Sequence, residues 1–252
     1  MKFNTLIEVA QAIDTFKALK TDIDGTAANS EPIIRKVIND MARDDGYELT
    51  DEHWDHLGGI GDPAVFYKIC EWHPPFARLF EDGKIFEAAR IDRYVENIPL
   101  VRAHQPVLKT VEWFLENQKD VCAVTNSPDR VATPHLVHTG YPRDKMGLLT
   151  LDDGPAKPDP ALYNMSFQRC ALKFPGLQKH HCLVLEDSAT GVRAGLRAGM
   201  VTIQFTDMCK PLEDAEAEAI AAQTGASYIK TTFDEYDKIF SQRVYGRELA
   251  IA

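Results

Sequence analysis

The stretch "FKALKTDIDGTAANSEP", residues 16–32, decides the fold. An apolar run enters it, Asp22 and Asp24 close it, and Gly25 and Thr26 stand directly behind. Side chains two apart on a strand point the same way, so the two carboxylates are expected to lie close together and repel. A chain that keeps such a pair at the end of a buried strand must neutralise it. Gly25 lets the backbone turn sharply and leaves room for an anion near its amide. Asp-Gly is also an ordinary turn signal, so the rest of the chain has to decide between the two readings.

Outward from this stretch, further apolar runs read as strands: "VCAVT" (121–125), "GLLTL" (147–151), "CLVLE" (182–186), "VTIQF" (201–205) and "ASYIK" (226–230). Helical patterns lie between them. "PVLKTVEWFLENQ" sets Val107, Leu108, Val111, Phe114 and Leu115 on one face, and other helical segments follow Lys157 and Glu186. This alternation predicts an α/β fold with a parallel sheet covered on both faces and ligands at the carboxyl ends of the strands. Residues 31–106 break the rhythm, because they carry helical patterns and no convincing strand. They read as an α-helical cap inserted over the sheet edge. The expected domains are a core of 1–30 with 107–252, and a cap of 31–106.

Composition narrows the function. A chain of 252 residues with 44% hydrophobic content can bury a sizeable core. A net charge of -10 argues against a broad nucleic-acid or anionic-membrane surface. Five cysteines without CxxC spacing suggest a reducing, cytoplasmic setting. Glu8, Gln11 and Asp14 interrupt the first segment, which is therefore not expected to be a secretory leader, and no apolar run is long enough to span a bilayer.

Four polar features fall at expected strand ends: Asp22 with Asp24, Thr125 with Asn126 and Ser127, Lys157 in "AKPDP", and Glu186 with Asp187 in "LEDSATG". In an open parallel sheet these ends converge on one crevice. Four carboxylates against one ammonium cannot stay unpaired in a partly buried site. An oxygen-rich set suits a hard cation such as Mg²⁺, which takes a few protein carboxylates and substrate phosphate. A carboxylate beside such an ion, with a lysine and backbone amides nearby, is placed to attack phosphorus, and a second one to move protons. Each feature taken alone has a plainer reading, as a turn, a helix cap or a surface lysine.

Taken together, "DIDGT", "VTNS", "KPDP" and "LEDSATGVRAGLRAGM" resemble, in order, the four motifs of the haloacid dehalogenase (HAD) superfamily. The resemblance covers nearly the whole chain. It implies a Rossmann-like three-layer core with an α-helical cap. It implies Asp22 as a nucleophile that becomes phosphorylated, and Asp24 as general acid and base with its main-chain carbonyl on the metal. Thr125, Lys157 and the amide of Asn126 would hold the phosphoryl group. Asp22, Asp24, Glu186 and Asp187 would make up the Mg²⁺ site. Two departures stand out. Ala27 replaces the usual Leu or Val, and Lys20 and Thr21 interrupt a usually apolar strand; both predict weaker packing near the nucleophile.

Within that superfamily, Asp two residues after the nucleophile goes with phosphatases and phosphomutases, not with dehalogenases or phosphonatases. The beta-phosphoglucomutase branch places an Arg three residues past its cap-loop glycine and a His twelve residues after the nucleophile. This chain has Asp62 and Ile34 there, and "HLGGIGDPAVF" holds no Lys or Arg. A mutase needs cations for a second phosphate. The favoured reading is a Mg²⁺-dependent phosphatase acting on a small phosphorylated metabolite, such as a sugar phosphate or phosphoglycolate. A beta-phosphoglucomutase-type mutase and a non-catalytic protein on the same scaffold remain as alternatives. Gly58, Gly59 and Ile60 are candidates for a substrate-facing cap loop, with a plain interhelical turn as the rival reading. His180, His181 and Cys182 look like metal ligands but read better as a strand entry, since neighbouring strand residues face opposite ways.

Overall fold

The computed structural model describes residues 1–57 and 62–245, so the loop expected at Gly58, Gly59 and Ile60 lies outside the described residues. Among the described residues eight strands occur in chain order: β1 Ala18–Thr21, β2 Ala28–Asn29, β3 Arg102–Ala103, β4 Asp120–Val124, β5 Gly147–Leu149, β6 Cys182–Glu186, β7 Val201–Phe205 and β8 Ser227–Thr231. The helices are α1 Leu6–Gln11, α2 Glu31–Arg43, α3 Asp51–Leu57, α4 Asp62–Trp72, α5 Gly83–Asn97, α6 Gln105–Glu116, α7 Asp129–His138, α8 Ala161–Lys173, α9 Ala189–Arg197, α10 Asp214–Thr224 and α11 Phe233–Arg243.

Six strands form one parallel sheet in the order β5-β4-β1-β6-β7-β8. The expected α/β class is therefore what the chain adopts. After β1 the chain builds outward on one side through β4 and β5, then returns to β1 and builds the other side from β6. The strand order thus reverses at β1, the point at whose carboxyl end open parallel sheets bind their ligands. Thr21 is level with Ala123 of β4 and with Leu185 of β6. Asp22 therefore follows β1 directly beside Glu186, which ends β6.

The strands are apolar because both faces are covered. Along β4, Val121 and Ala123 join the cluster made with α1, α6 and α11, while Cys122 and Val124 join the cluster made with α8 and α9. Leu183 and Leu185 alternate with Cys182 and Val184 in the same way along β6. Each fully buried Leu or Val contributes about 1.5–3 kcal/mol by leaving water.

Lys20 departs from this pattern and does not loosen the sheet as expected. It is fully buried, and its Nζ lies 2.8 Å from Asp120 Oδ2. Asp120 also meets Lys173 at 2.6 Å. Burial works against the Lys20 charge, but the polar surroundings, Cys122 and above all the hydrogen-bonded Asp120 carboxylate, outweigh it, and the pKa is held above the usual lysine range. Ala27 is buried too, and its carbonyl accepts hydrogen bonds from Tyr141 Oη at 2.7 Å and from the His104 amide at 2.9 Å.

The chain divides into two compact units, Met1–Asn29 with Arg102–Ala252, and Ser30–Val101. The smaller unit packs α2, α3, α4 and α5 around Met41, Trp54, Phe66, Phe76 and Phe86. The larger unit resumes at Arg102, five residues before the 107 boundary read from the sequence. The cause is the β2–β3 ribbon, in which Ala28 pairs with Ala103 and Asn29 with Arg102.

Candidate active site

The polar residues singled out at strand ends all belong to the larger unit. Hydrogen-bonded β1 ends at Thr21, although the Asp22 amide still donates to Leu185 O at 3.0 Å. Asp22, Glu186 and Asp187 bring carboxylate oxygens within 4.8 Å of one another, and all three residues are buried. Lys157 Nζ sits among them, 2.6 Å from Asp22 Oδ1 and 2.5 Å from Glu186 Oε1.

Electrostatics follow from this crowding. Burial pushes the Asp22 pKa well above the carboxylate range; Lys157 opposes that, while Glu186, Asp187 and Asp24 add to it. Lys157 is raised above its ordinary value, because Asp22 and Glu186 outweigh the cost of its burial. Three carboxyl groups against one ammonium make the fully ionised cluster negative by two, a charge that the raised Asp22 pKa shows to be costly and that a divalent cation would neutralise.

The surrounding chain is shaped to hold these groups. Asp187 accepts from Thr26 Oγ1 at 3.0 Å and from Cys209 Sγ at 3.3 Å, and its carbonyl accepts from Gln204 Nε2 at 2.7 Å. Gly25 has φ +78°, and a Cβ there would overlap the Asp187 carboxylate. Both facts demand glycine. At Gly191, the first turn of α9 passes so close to Glu186 that a Cβ would overlap that carboxylate as well. Glu186 Oε1 also accepts from Tyr163 Oη at 2.7 Å. Tyr163, buried on α8 beside Leu162, Ser166 and Cys170, is not marked by any sequence pattern beyond its place six residues past Lys157.

Asp24 behaves differently from its neighbour. Its carboxylate is not among the oxygens that Asp22, Glu186 and Asp187 bring within 4.8 Å of one another, although its charge still adds to the rise in the Asp22 pKa, as repulsion between the pair requires. Ser127 Oγ donates to Asp24 Oδ2 at 2.7 Å, and His135 Nδ1 lies 3.5 Å from Asp24 Oδ1. Ser127 does not cap α7; Pro128 holds the cap position without a side-chain bond. Burial holds the His135 pKa below its ordinary value despite the attraction of Asp24.

Thr125 is buried at the end of β4, and its Oγ1 accepts from the Ser127 amide at 3.0 Å. The Asn126 side chain has a job of its own. Its Oδ1 accepts from the Lys157 amide at 2.8 Å and its Nδ2 donates to the Lys157 carbonyl at 3.2 Å. Two bonds to one residue fix the main chain that carries the lysine.

Over residues 16–199 the sequence matches the family model described as haloacid dehalogenase-like hydrolase, and the chain belongs to that family. It is 23% identical over 197 residues to phosphoglycolate phosphatase 1 of Pseudomonas aeruginosa, an alignment that covers 71% of this chain and 65% of the relative. It is 26% identical over 195 residues to phosphoglycolate phosphatase of Rhodobacter capsulatus, covering 75% of this chain and 84% of the relative. Among solved structures it is similar to a HAD family hydrolase from Deinococcus radiodurans with bound phosphate and sodium. That match has a TM-score of 0.65 and 22% identity, and covers 91% and 96% of the two chains. CbbY from Rhodobacter sphaeroides in complex with phosphate is similar at TM-score 0.62 and 19% identity, covering 87% and 96%. Likeness at this identity establishes the fold.

Proposed function

We propose that the chain is a Mg²⁺-dependent phosphatase, a phosphoric monoester hydrolase that acts on a small phosphorylated metabolite of the phosphoglycolate or sugar-phosphate kind. The observation that carries this reading is Lys157, clamped between Asp22 and Glu186 in a buried acidic cluster that is negative by two when fully ionised. The names of the two phosphoglycolate phosphatases support the substrate class. No described helix is long and apolar enough to cross a membrane.

The donor set fits a hard divalent cation: it is all oxygen, buried, and cradled by backbone at Gly25 and Gly191 that admits no side chain. Asp22, Glu186 and Asp187 would hold the ion, with the main-chain carbonyl of Asp24. When bound, it supplies positive charge that stabilises ionised Asp22 and the phosphoryl oxygens.

Asp22 then attacks phosphorus. An Asp22 carboxylate oxygen–phosphorus bond forms, the ester P–O bond breaks, and Asp24 passes its proton to the leaving oxygen. Asp24, now a carboxylate, takes a proton from water as that water attacks the phosphoaspartate. The acyl-phosphate P–O bond breaks and Asp22 is regenerated with free phosphate. Thr125, Lys157 and the Asn126 amide grip the phosphoryl oxygens throughout.

Phosphate release from a panel of phosphorylated metabolites, with Mg²⁺ and with EDTA, tests the reading. The expected result is release from at least one small phosphomonoester that EDTA abolishes and excess Mg²⁺ restores, with Ca²⁺ a poor substitute. Full activity in a chelated sample, or no release from any ester, overturns it.

A further inference from the structure

We propose that His135 and Ser127 are positioning residues for Asp24: Ser127 hydrogen-bonds one carboxylate oxygen, the His135 imidazole bounds the space beside the other, and together they set the group that protonates the leaving oxygen. This rests on the phosphatase reading above and goes beyond it. Neither residue belongs to the acidic cluster or the phosphoryl grip.

The argument is geometric. Asp24 follows the strand in a turn and lies outside the acidic cluster. A carboxylate in that position is free to rotate about its last torsion unless something fixes it. Ser127 Oγ meets Oδ2 at 2.7 Å from the end of β4, and His135 Nδ1 stands 3.5 Å from Oδ1 from the body of α7. The two contacts come from different directions and address different oxygens. The Ser127 contact is a hydrogen bond; the His135 ring at 3.5 Å is not, and restricts the carboxyl group's rotation by the space it fills and by its polarity.

His135 holds its own place firmly. It is fully buried with Val131, Ala132 and Leu136 on the face of α7 that packs against the sheet. Transfer of a proton in a transition state is sensitive to such placement, and a displacement of the order of 1 Å costs about 10²-fold in rate.

A residue that acts through Asp24 leaves a signature that a packing residue does not. An alkyl phosphate has a poor leaving group and needs protonation, whereas p-nitrophenyl phosphate does not. Since kcat/KM covers only the steps up to leaving-group departure, it isolates this requirement. We would measure kcat and KM for 2-phosphoglycolate and p-nitrophenyl phosphate at saturating Mg²⁺. The variants are Ser127→Ala, His135→Phe, His135→Asn and Asp24→Ala, with His135→Phe also in the Asp24→Ala background.

Ser127→Ala and His135→Phe should each lower kcat/KM for the alkyl ester about tenfold through kcat, with the aryl ester changed less than about threefold. His135→Asn, whose amide nitrogen can occupy the Nδ1 position, should recover most of the loss. Adding His135→Phe to Asp24→Ala should cost nothing further. Equal losses on the two esters, a loss carried by KM, or additive losses in the double variant would overturn the inference while leaving the phosphatase reading intact. If His135→Phe does not fold, Ser127→Ala and His135→Asn decide on the same criterion. A wild type that hydrolyses neither ester would overturn the phosphatase reading, and this inference with it.

Discussion

Lys20 and Lys157 are both buried, both ion-paired to carboxylates, and both part of the larger unit, yet their surroundings balance differently. Lys20 meets Asp120, which Lys173 also meets from the exposed side. No carboxylate there is left over. Lys157 meets Asp22 and Glu186 with Asp187 alongside, so three carboxyl groups face one ammonium. Burial of charge by itself is therefore poor guidance to a site. Several buried carboxyl groups held together where the sheet order reverses are better guidance, because their mutual repulsion is relieved by a bound cation or by a proton, and both are the business of a reactive site.

Substitutions can break this contrast, and Asp22→Asn should have the largest effect. The amide keeps the shape but cannot attack phosphorus, so turnover should fall by about 10⁴-fold or more with the thermal midpoint preserved. Activity within tenfold of wild type would remove Asp22 from its role. Asp24→Ala comes next, with an expected loss of about 10²- to 10⁴-fold for alkyl phosphates. An activated aryl phosphate should still phosphorylate Asp22 and then stall, giving a burst. An equal loss for both ester types would mark Asp24 as a structural residue.

The lysines sharpen the comparison directly. Lys157→Met should cost about 10²- to 10³-fold in kcat/KM, since it removes a charge aimed at the phosphoryl oxygens. Lys20→Met should leave kcat/KM within about threefold while destabilising the fold by about 2 kcal/mol. That is less than an orphaned buried charge costs, because Lys173 still meets Asp120. Thermal unfolding at matched pH would show the second effect as a drop of roughly 4–8 °C. A large catalytic loss from Lys20→Met would erase the distinction.

The smallest effect expected is at His104, on the larger unit, whose ring stacks on Phe233 at 3.9 Å. Burial lowers its pKa from 6.5 to about 4, against a smaller pull from Asp207. The unfolded chain therefore binds a proton between those values that the folded chain does not, and this ring's share of stability falls as pH drops from 6.5 towards about 4. His104→Phe retains the stacking and does not titrate. Its thermal midpoint should fall less than that of wild type over this window, and parallel curves would contradict the assignment.

Most of this architecture was legible in the sequence. Six strands announced themselves as apolar runs because both faces of a parallel sheet are buried, and the four polar strand ends marked the crevice. The β2–β3 ribbon was not legible, since two-residue strands carry no periodicity. The Lys20–Asp120 pair was hidden because its partners stand 100 positions apart in sequence. For Asp24 the sequence shows the neighbouring Asp22, whose pKa its charge helps to raise, but not its contacts with Ser127 and His135, which depend on where α7 lands. A single histidine on an apolar helix face was the only trace of that contact.

The central claim is that Asp22 carries the phosphoryl group during turnover. Rapid quenching of the Asp24→Ala variant with p-nitrophenyl phosphate and Mg²⁺, followed by mass spectrometry of the peptide containing residues 16–32, tests it most directly. The account predicts phosphate covalently bound at Asp22, formed as fast as the nitrophenol burst and absent in Asp22→Asn. A burst without phosphopeptide, or phosphate on any other residue, would contradict it.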